Sequence, residues 1–191
     1  SEGLPFSLTI GEKQFLSLLH IKAEYLILEI ELPMEKERAV SFIEMYQELK
    51  SVMADVEGAD TTEEACRRAI EELKRITGFD KIMIYRFDEH WHGTVIAEVA
   101  EEGMDNYLGL RFPASDVPKQ ARALYLKNPY RFIPDASYVP VKVFPLLNPV
   151  TNAFTDLSEA NLRSVAPVHV EYLKNMGVHA SMSTRIIENG Q

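Results

Sequence analysis

The stretch Pro167–Met176 spaces His169, Tyr172, Leu173 and Met176 at i, i+3, i+4 and i+7, so on a helix the four share one face. An imidazole and a phenol among apolar groups make that face a half-polar site, or else an amphipathic surface whose His and Tyr tips reach water. Ser181 and Ser183 alternate with Met182 and Thr184, so on a strand both hydroxyls point one way. They can line a pocket as donors or simply face solvent. Arg131 lies within Tyr130-Arg131-Phe132-Ile133, and Arg163 within Leu162-Arg163-Ser164-Val165. A guanidinium in an apolar stretch must stay hydrated or meet an acceptor, and its planar fork suits carboxylates; a surface ion pair is the plainer alternative. Asp116, shortly before a helical pattern, is either a helix cap or a ligand contact. Tyr85 sits in an apolar run, where its hydroxyl needs a partner.

Other chemistries find no support in the residues. Cys66 falls on the apolar face of a helix and reads as core rather than as a reactive thiol. A single cysteine excludes an intramolecular disulfide and a Cys-rich zinc site, and it fits a reducing, cytoplasmic setting. His90 and His92 flank Trp91 without a third ligand, so no metal is expected. No Walker loop, GxGxxG, HExxH or GxSxG is present. With 191 residues and a net charge of −9, the chain suits a soluble domain with its own core and lacks the basic footprint of a nucleic-acid-coating protein. No apolar run is long enough to cross a membrane, and no signal peptide is visible. The chain starts at Ser1 rather than Met and reads as a piece of a longer protein.

The elements that must position these side chains follow from periodicity. Two short apolar runs between Phe6 and Leu32, separated by Lys22-Ala23-Glu24, predict a β-hairpin. After Pro33, the stripe Ala39, Phe42, Ile43, Tyr46, Leu49, Met53 predicts a helix over 35–53, interrupted by Gly58. Thr61 and Glu64 form a capping-box pattern, and the following helix carries Ala65, Cys66, Ala69, Ile70, Leu73 and Ile76 on one face up to Gly78. Ile82–Phe87 predicts a strand buried on both faces, and Thr94–Val99 the next strand. A helix is expected over 119–127, then a long Pro-rich irregular region whose aromatic content favours function over disorder. Pro167 opens a helix that Gly177 closes, residues 181–187 form a strand, and residues 188–191 read as half of a tight turn.

Three blocks resemble the GAF domain of phytochromes. The first is Phe79–Phe87 with Trp91–Glu98. The second runs from Tyr107 through Ala114-Ser115-Asp116-Val117-Pro118 to Tyr125, and the third is Leu162–Val178. Phe6–Leu32 is similar to the closing hairpin of the PAS domain that precedes GAF in bacterial-type phytochromes.

The resemblance implies an α+β fold, an antiparallel sheet flanked by helices. It implies residues 1–33 as the end of a PAS domain, 34–58 as a connecting helix, and 59–191 as a GAF domain ending before its last strand and helix. It implies a linear tetrapyrrole, biliverdin or a relative, as cofactor. In the family, the Asp of the Asp116-Val117-Pro118 motif faces the pyrrole nitrogens through its carbonyl, and the counterpart of His169 shares the pyrrole water. Tyr85, Phe112 and Tyr172 match the aromatic groups around ring D. Arg131 and Arg163, with Tyr125 nearby, match groups on one propionate; Ser181 and Ser183 match hydroxyls on the other. Val168 stands where plant phytochromes carry the bilin-linking cysteine, so the family pattern puts the linkage on a cysteine upstream of these residues. Ala166 stands where a serine is frequent. The implied function is red/far-red light sensing, with a histidine kinase output and a homodimer through the GAF helices. Rival readings are a GAF sensor for another small molecule such as a cyclic nucleotide, a pigment-free dimerisation module, and a methionine sulfoxide reductase, which the lone Cys66 disfavours.

Overall fold

The structure, a computed structural model, describes residues 3–31 and 42–187. The chain forms two compact units, one of residues 1–35 with 119–191 and one of residues 36–118.

In the first unit, period-2 alternation of Leu4, Phe6, Leu8 and Ile10 makes a strand, β1 (Leu4–Ile10), ahead of the two expected ones. Gly11, at φ +63°, turns the chain into β2 (Lys13–Ile21), so the predicted hairpin is a three-stranded antiparallel sheet completed by β3 (Leu26–Glu31). Its two faces differ. Leu26, Leu28 and Ile30 are exposed, whereas His20 and Glu29 are buried. Helix α3 (Lys119–Lys127) falls where expected. A strand that the sequence reading missed, β7 (Tyr130–Ile133), pairs antiparallel with β8 (Ser181–Thr184). The latter is shorter than predicted, and residues 188–191 lie outside the described residues. Pro167 opens α4 (Pro167–Asn175) at its first turn. The unit's core is Ile133, Ala136 and Leu173, with Val165 and Val178 against it. Residues 134–166 carry no helix or strand and are held by turn hydrogen bonds, such as Asn148 N–H to the Ala153 carbonyl at 2.8 Å, and by longer-range ones, such as Ala136 N–H to the His179 carbonyl at 2.7 Å.

In the second unit, α1 (Phe42–Glu57) runs one turn past the expected end at Met53, and Gly58 closes it. The remainder of that predicted helix, residues 35–41, lies outside the described residues. Helix α2 (Thr62–Thr77) is capped as its sequence requires. The Thr61 hydroxyl accepts the Glu64 N–H at 3.2 Å, and the Glu64 carboxylate accepts the Asp60 N–H at 3.2 Å. Gly78, at φ +68°, ends it. This helix packs on β4 (Lys81–Phe87) and β5 (Gly93–Ala100), which form an antiparallel sheet with the short β6 (Arg111–Phe112) in the order β4-β5-β6.

The expectation that Ile82–Phe87 is buried on both faces is wrong. β4 is an edge strand with a register irregularity between Ile84 and Tyr85, and Met83 and Phe87 are exposed. The central strand β5 buries Val95 and Ala97 instead. The architecture is α+β, as expected, but its strands pair in separate antiparallel sheets rather than one continuous sheet.

Candidate functional site

The first unit gathers most of the candidate polar groups. β7 and β8 pair so that Arg131 stands directly opposite Ser183, and cross-strand partners project to the same face. Ser183 and Ser181 are both half-buried, alternating with exposed Met182 and Thr184. The Ser183 and Tyr125 hydroxyls are 2.7 Å apart, which ties α3 to this face. Arg131 donates to the carbonyls of Asn161 at 2.5 Å and Arg163 at 2.6 Å. Arg163 donates to the carbonyl of Ala160 at 2.6 Å. Among the described residues, neither guanidinium has a carboxylate within ion-pair distance. The default reading of both as surface ion pairs is therefore corrected: they are half-buried and rest on backbone carbonyls. Burial pushes both below the usual arginine range, and for Arg131 the neighbouring positive charge of Arg163 adds to the effect. Arginine stays charged regardless, so the pair is a concentrated positive site with donor capacity left over.

His169 and Tyr172 lie on the first turns of α4 and are exposed, while Leu173 of the same predicted stripe belongs to the core. Enough protein surrounds the His169 ring to disfavour its charged form, and the Arg131 charge adds to this. Its pKa lies below the ordinary imidazole value. A cleft of about 350 Å³ lies along the Pro167, Val170, Glu171 and Lys174 side of this helix, not the His169 stripe.

The second unit brings together two of the three aromatic candidates, Tyr85 and Phe112, while Tyr172 lies on α4 of the first unit. The rings of Tyr85 and Phe112 are 6.0 Å apart and tilted, and Phe87 meets Tyr85 edge-on at 5.1 Å. Gly93 makes this possible: a Cβ there would lie within the Tyr85 ring. Asp116 lies in an exposed turn. Its N–H donates to the Pro113 carbonyl at 3.1 Å, and its carboxylate is 3.4 Å from the Ser115 hydroxyl. Pro118, not Asp116, directly precedes α3, so the helix-cap reading of Asp116 is set aside. Cys66 is half-buried and unbonded to another cysteine. Among the described residues no three His, Cys, Asp or Glu side chains gather as a metal site, and no described helix is long and apolar enough to cross a membrane.

Sequence reasoning missed residues that shape this site without belonging to any motif. Tyr138 accepts the Val165 N–H at 2.6 Å, Asn161 donates to the Tyr130 hydroxyl at 2.9 Å, and Glu29 holds the 160–163 turn. Only Glu29 left a trace: one carboxylate inside the apolar run Leu26-Ile27-Leu28-Glu29-Ile30.

Comparison with known proteins decides the family. The GAF domain profile matches residues 61–191. The chain belongs to the GAF domain family, in its phytochrome branch. It is 48% identical over 172 residues to cyanobacterial phytochrome B of Nostoc sp., covering 90% of this chain and 23% of that protein. It is 43% identical over 182 residues to a bacteriophytochrome of Pseudomonas aeruginosa, covering 95% of this chain and 25% of that protein. The chain thus spans about a quarter of the length of these curated relatives. Among solved structures it resembles a bacteriophytochrome of the photosynthetic bacterium R. palustris with a TM-score of 0.89 and 38% identity, covering all of this chain and 38% of that one. It also resembles the chromophore-binding domain of a Stigmatella aurantiaca phytochrome, with a TM-score of 0.85 and 39% identity over 99% of this chain and 61% of that one. This phytochrome GAF domain is accompanied by the N-terminal sheet β1-β2-β3.

Proposed function

We propose that this GAF domain binds a linear tetrapyrrole, biliverdin or a close relative, and serves as the photosensory segment of a red/far-red light receptor. The observation that carries the reading is the pair of half-buried guanidinium groups, Arg131 and Arg163, without a carboxylate partner among the described residues and with Ser183 opposite Arg131. A bilin has two propionate arms, and forked guanidinium donors and hydroxyls are what such arms require. In this reading Arg131 and Arg163, with Tyr125, receive one arm, and Ser181 and Ser183 the other. Asp116 offers its backbone carbonyl to the pyrrole N–H groups, with Pro118 closing that turn. His169, favoured as neutral imidazole, can both donate and accept beside them. Tyr85, Phe112 and Tyr172 supply flat apolar surface for the terminal ring. When bound, the bilin supplies red-light absorption and isomerisation about a bridging double bond; the protein's part is to hold the acidic arms fixed while groups near the terminal ring rearrange.

The segment assignment belongs to the same proposal: residues 1–33 close a PAS domain, 34–58 connect, and 59–191 are GAF, with the last strand and helix beyond them. So do an output through a histidine kinase elsewhere in the parent protein, a homodimer through the GAF helices, a cytoplasmic location, no nucleic-acid or membrane partner, and no catalysis by this segment. Because Val168 occupies one family attachment position and Cys66 lies within α2, covalent linkage is assigned to a cysteine outside these residues.

Biliverdin is mixed with this chain and with a version extended at both ends. The extended protein is expected to develop a red absorbance band that light shifts reversibly. No band from the extended protein ends the photoreceptor reading, and saturable binding of a cyclic nucleotide in its place would favour the small-molecule sensor.

A further inference from the structure

Glu29 occupies β3 on the face of the N-terminal sheet that also carries Leu18 and His20, as the pairs Leu18↔Glu29 and His20↔Ile27 show. It is only 5% exposed, and His20 only 3%. A carboxylate buried this far costs free energy unless its oxygens are occupied. Here both are. His20 Nε2 lies 2.6 Å from Oε1, which also accepts the Asn161 N–H at 3.0 Å, while Oε2 accepts the Leu162 N–H at 2.6 Å.

Those two amides are not incidental. A peptide group is planar, and in the trans form its N–H and C=O point in opposite directions. The Asn161 N–H shares its peptide plane with the Ala160 carbonyl, which holds Arg163. The Leu162 N–H shares its plane with the Asn161 carbonyl, which holds Arg131. One carboxylate therefore grips the two peptide planes from behind, and each plane presents its oxygen to a guanidinium in front. Gripping both planes fixes two of the three carbonyls on which the arginines rest.

We propose that Glu29, locked by His20, is a positioning residue for the two-arginine site, setting the geometry with which Arg131 and Arg163 receive an acidic ligand. The carboxylate never meets the ligand; it acts through the two peptide groups. This rests on the reading that the arginines take a propionate arm.

The test is Glu29→Gln in the full-length protein. Glutamine has nearly the same shape, yet it keeps one acceptor where two are needed and turns an N–H₂ toward an amide donor. In the pigment-free protein, hydrogen exchange of residues 160–163 is expected to rise about tenfold, with β7, β8 and α4 unchanged, in line with losing a hydrogen bond to a charged acceptor. With pigment, the wild type is expected to prefer biliverdin over its dimethyl ester, and the variant to lose about tenfold of that preference. Unchanged exchange overturns the proposal. So does an equal loss of affinity for both pigments, which marks a merely structural role. A wild-type protein that binds neither pigment sinks the bilin reading, and the exchange measurement then decides the positioning claim alone. If Glu29→Gln does not accumulate folded, Glu29→Asp, one methylene short, is measured the same way and should show a smaller rise in exchange and a smaller loss of preference.

Discussion

His169 shows how a single residue is tuned by its neighbours. Nearby protein partly desolvates the charged form of the ring and Arg131 opposes a second positive charge, so its pKa lies below the ordinary 6.5. The folded state therefore binds fewer protons than the unfolded chain between the folded value and 6.5. Stability rises with pH across that window and falls as pH drops through it. An NMR titration of the His169 ring in the pigment-free chain should give a midpoint below 6.5, and Arg131→Gln should move it upward. A midpoint indifferent to Arg131 would break the electrostatic link between the two. Arg131 and Arg163 make the complementary point. Their local sequence left each open to a surface ion pair, and only the resemblance marked them; carbonyl partners and mutual proximity set them apart in the structure.

At the scale of elements, the aromatic patch of the second unit depends on one missing side chain. Gly93 opens β5 opposite Phe87, and the Tyr85 ring occupies the space a Cβ would take. Gly93→Ala must push that ring off its seat beside Phe112, so it is expected to cost about 1–3 kcal/mol, the usual scale for overpacking. Denaturant unfolding of Gly93→Ala, Tyr85→Ala and the double variant checks this. With the ring gone the glycine substitution should become nearly free, whereas additive losses would show that the strand bend, not the ring, demands glycine. Helix α2 was readable at both ends because its cap and its αL glycine are local signals. β1 and β7 were missed for different reasons: β1 carries a readable alternation, Leu4, Phe6, Leu8 and Ile10, that was passed over, whereas the four residues of β7 become a strand only when β8 supplies the hydrogen bonds.

For the molecule as a whole, apolar surface left in the open matters most. Ile43, Leu49 and Met53 of α1 are 67%, 51% and 61% exposed, a stripe that does not serve the core of its own unit. α1 lies in the segment assigned as the connector, and a homodimer that extends from the GAF helices onto it would cover this stripe. Leu49→Glu should then lower the mass seen by light scattering toward that of one chain while leaving the circular dichroism spectrum unchanged. Association that persists unaltered would remove α1 from the interface. The N-terminal sheet adds a second open apolar surface, Leu4, Phe6, Leu26, Leu28 and Ile30. On the other face, His20 and Glu29 are covered by the 160–163 turn of the same unit.

The chain's own residues determined its helices, the caps and glycines that end them, and the family, because each rests on neighbours within a few positions or on contiguous blocks of sequence. They also supplied the candidate ligands Asp116, His169, Arg131, Arg163 and the paired serines. Tertiary structure alone decided that Arg131 faces Ser183, that the arginines lean on carbonyls rather than carboxylates, and that a glutamate of β3 holds those carbonyls in place. The reason is range: a strand register and a buried carboxylate reaching another segment's amides depend on residues far apart in the chain, and no local pattern carries that information.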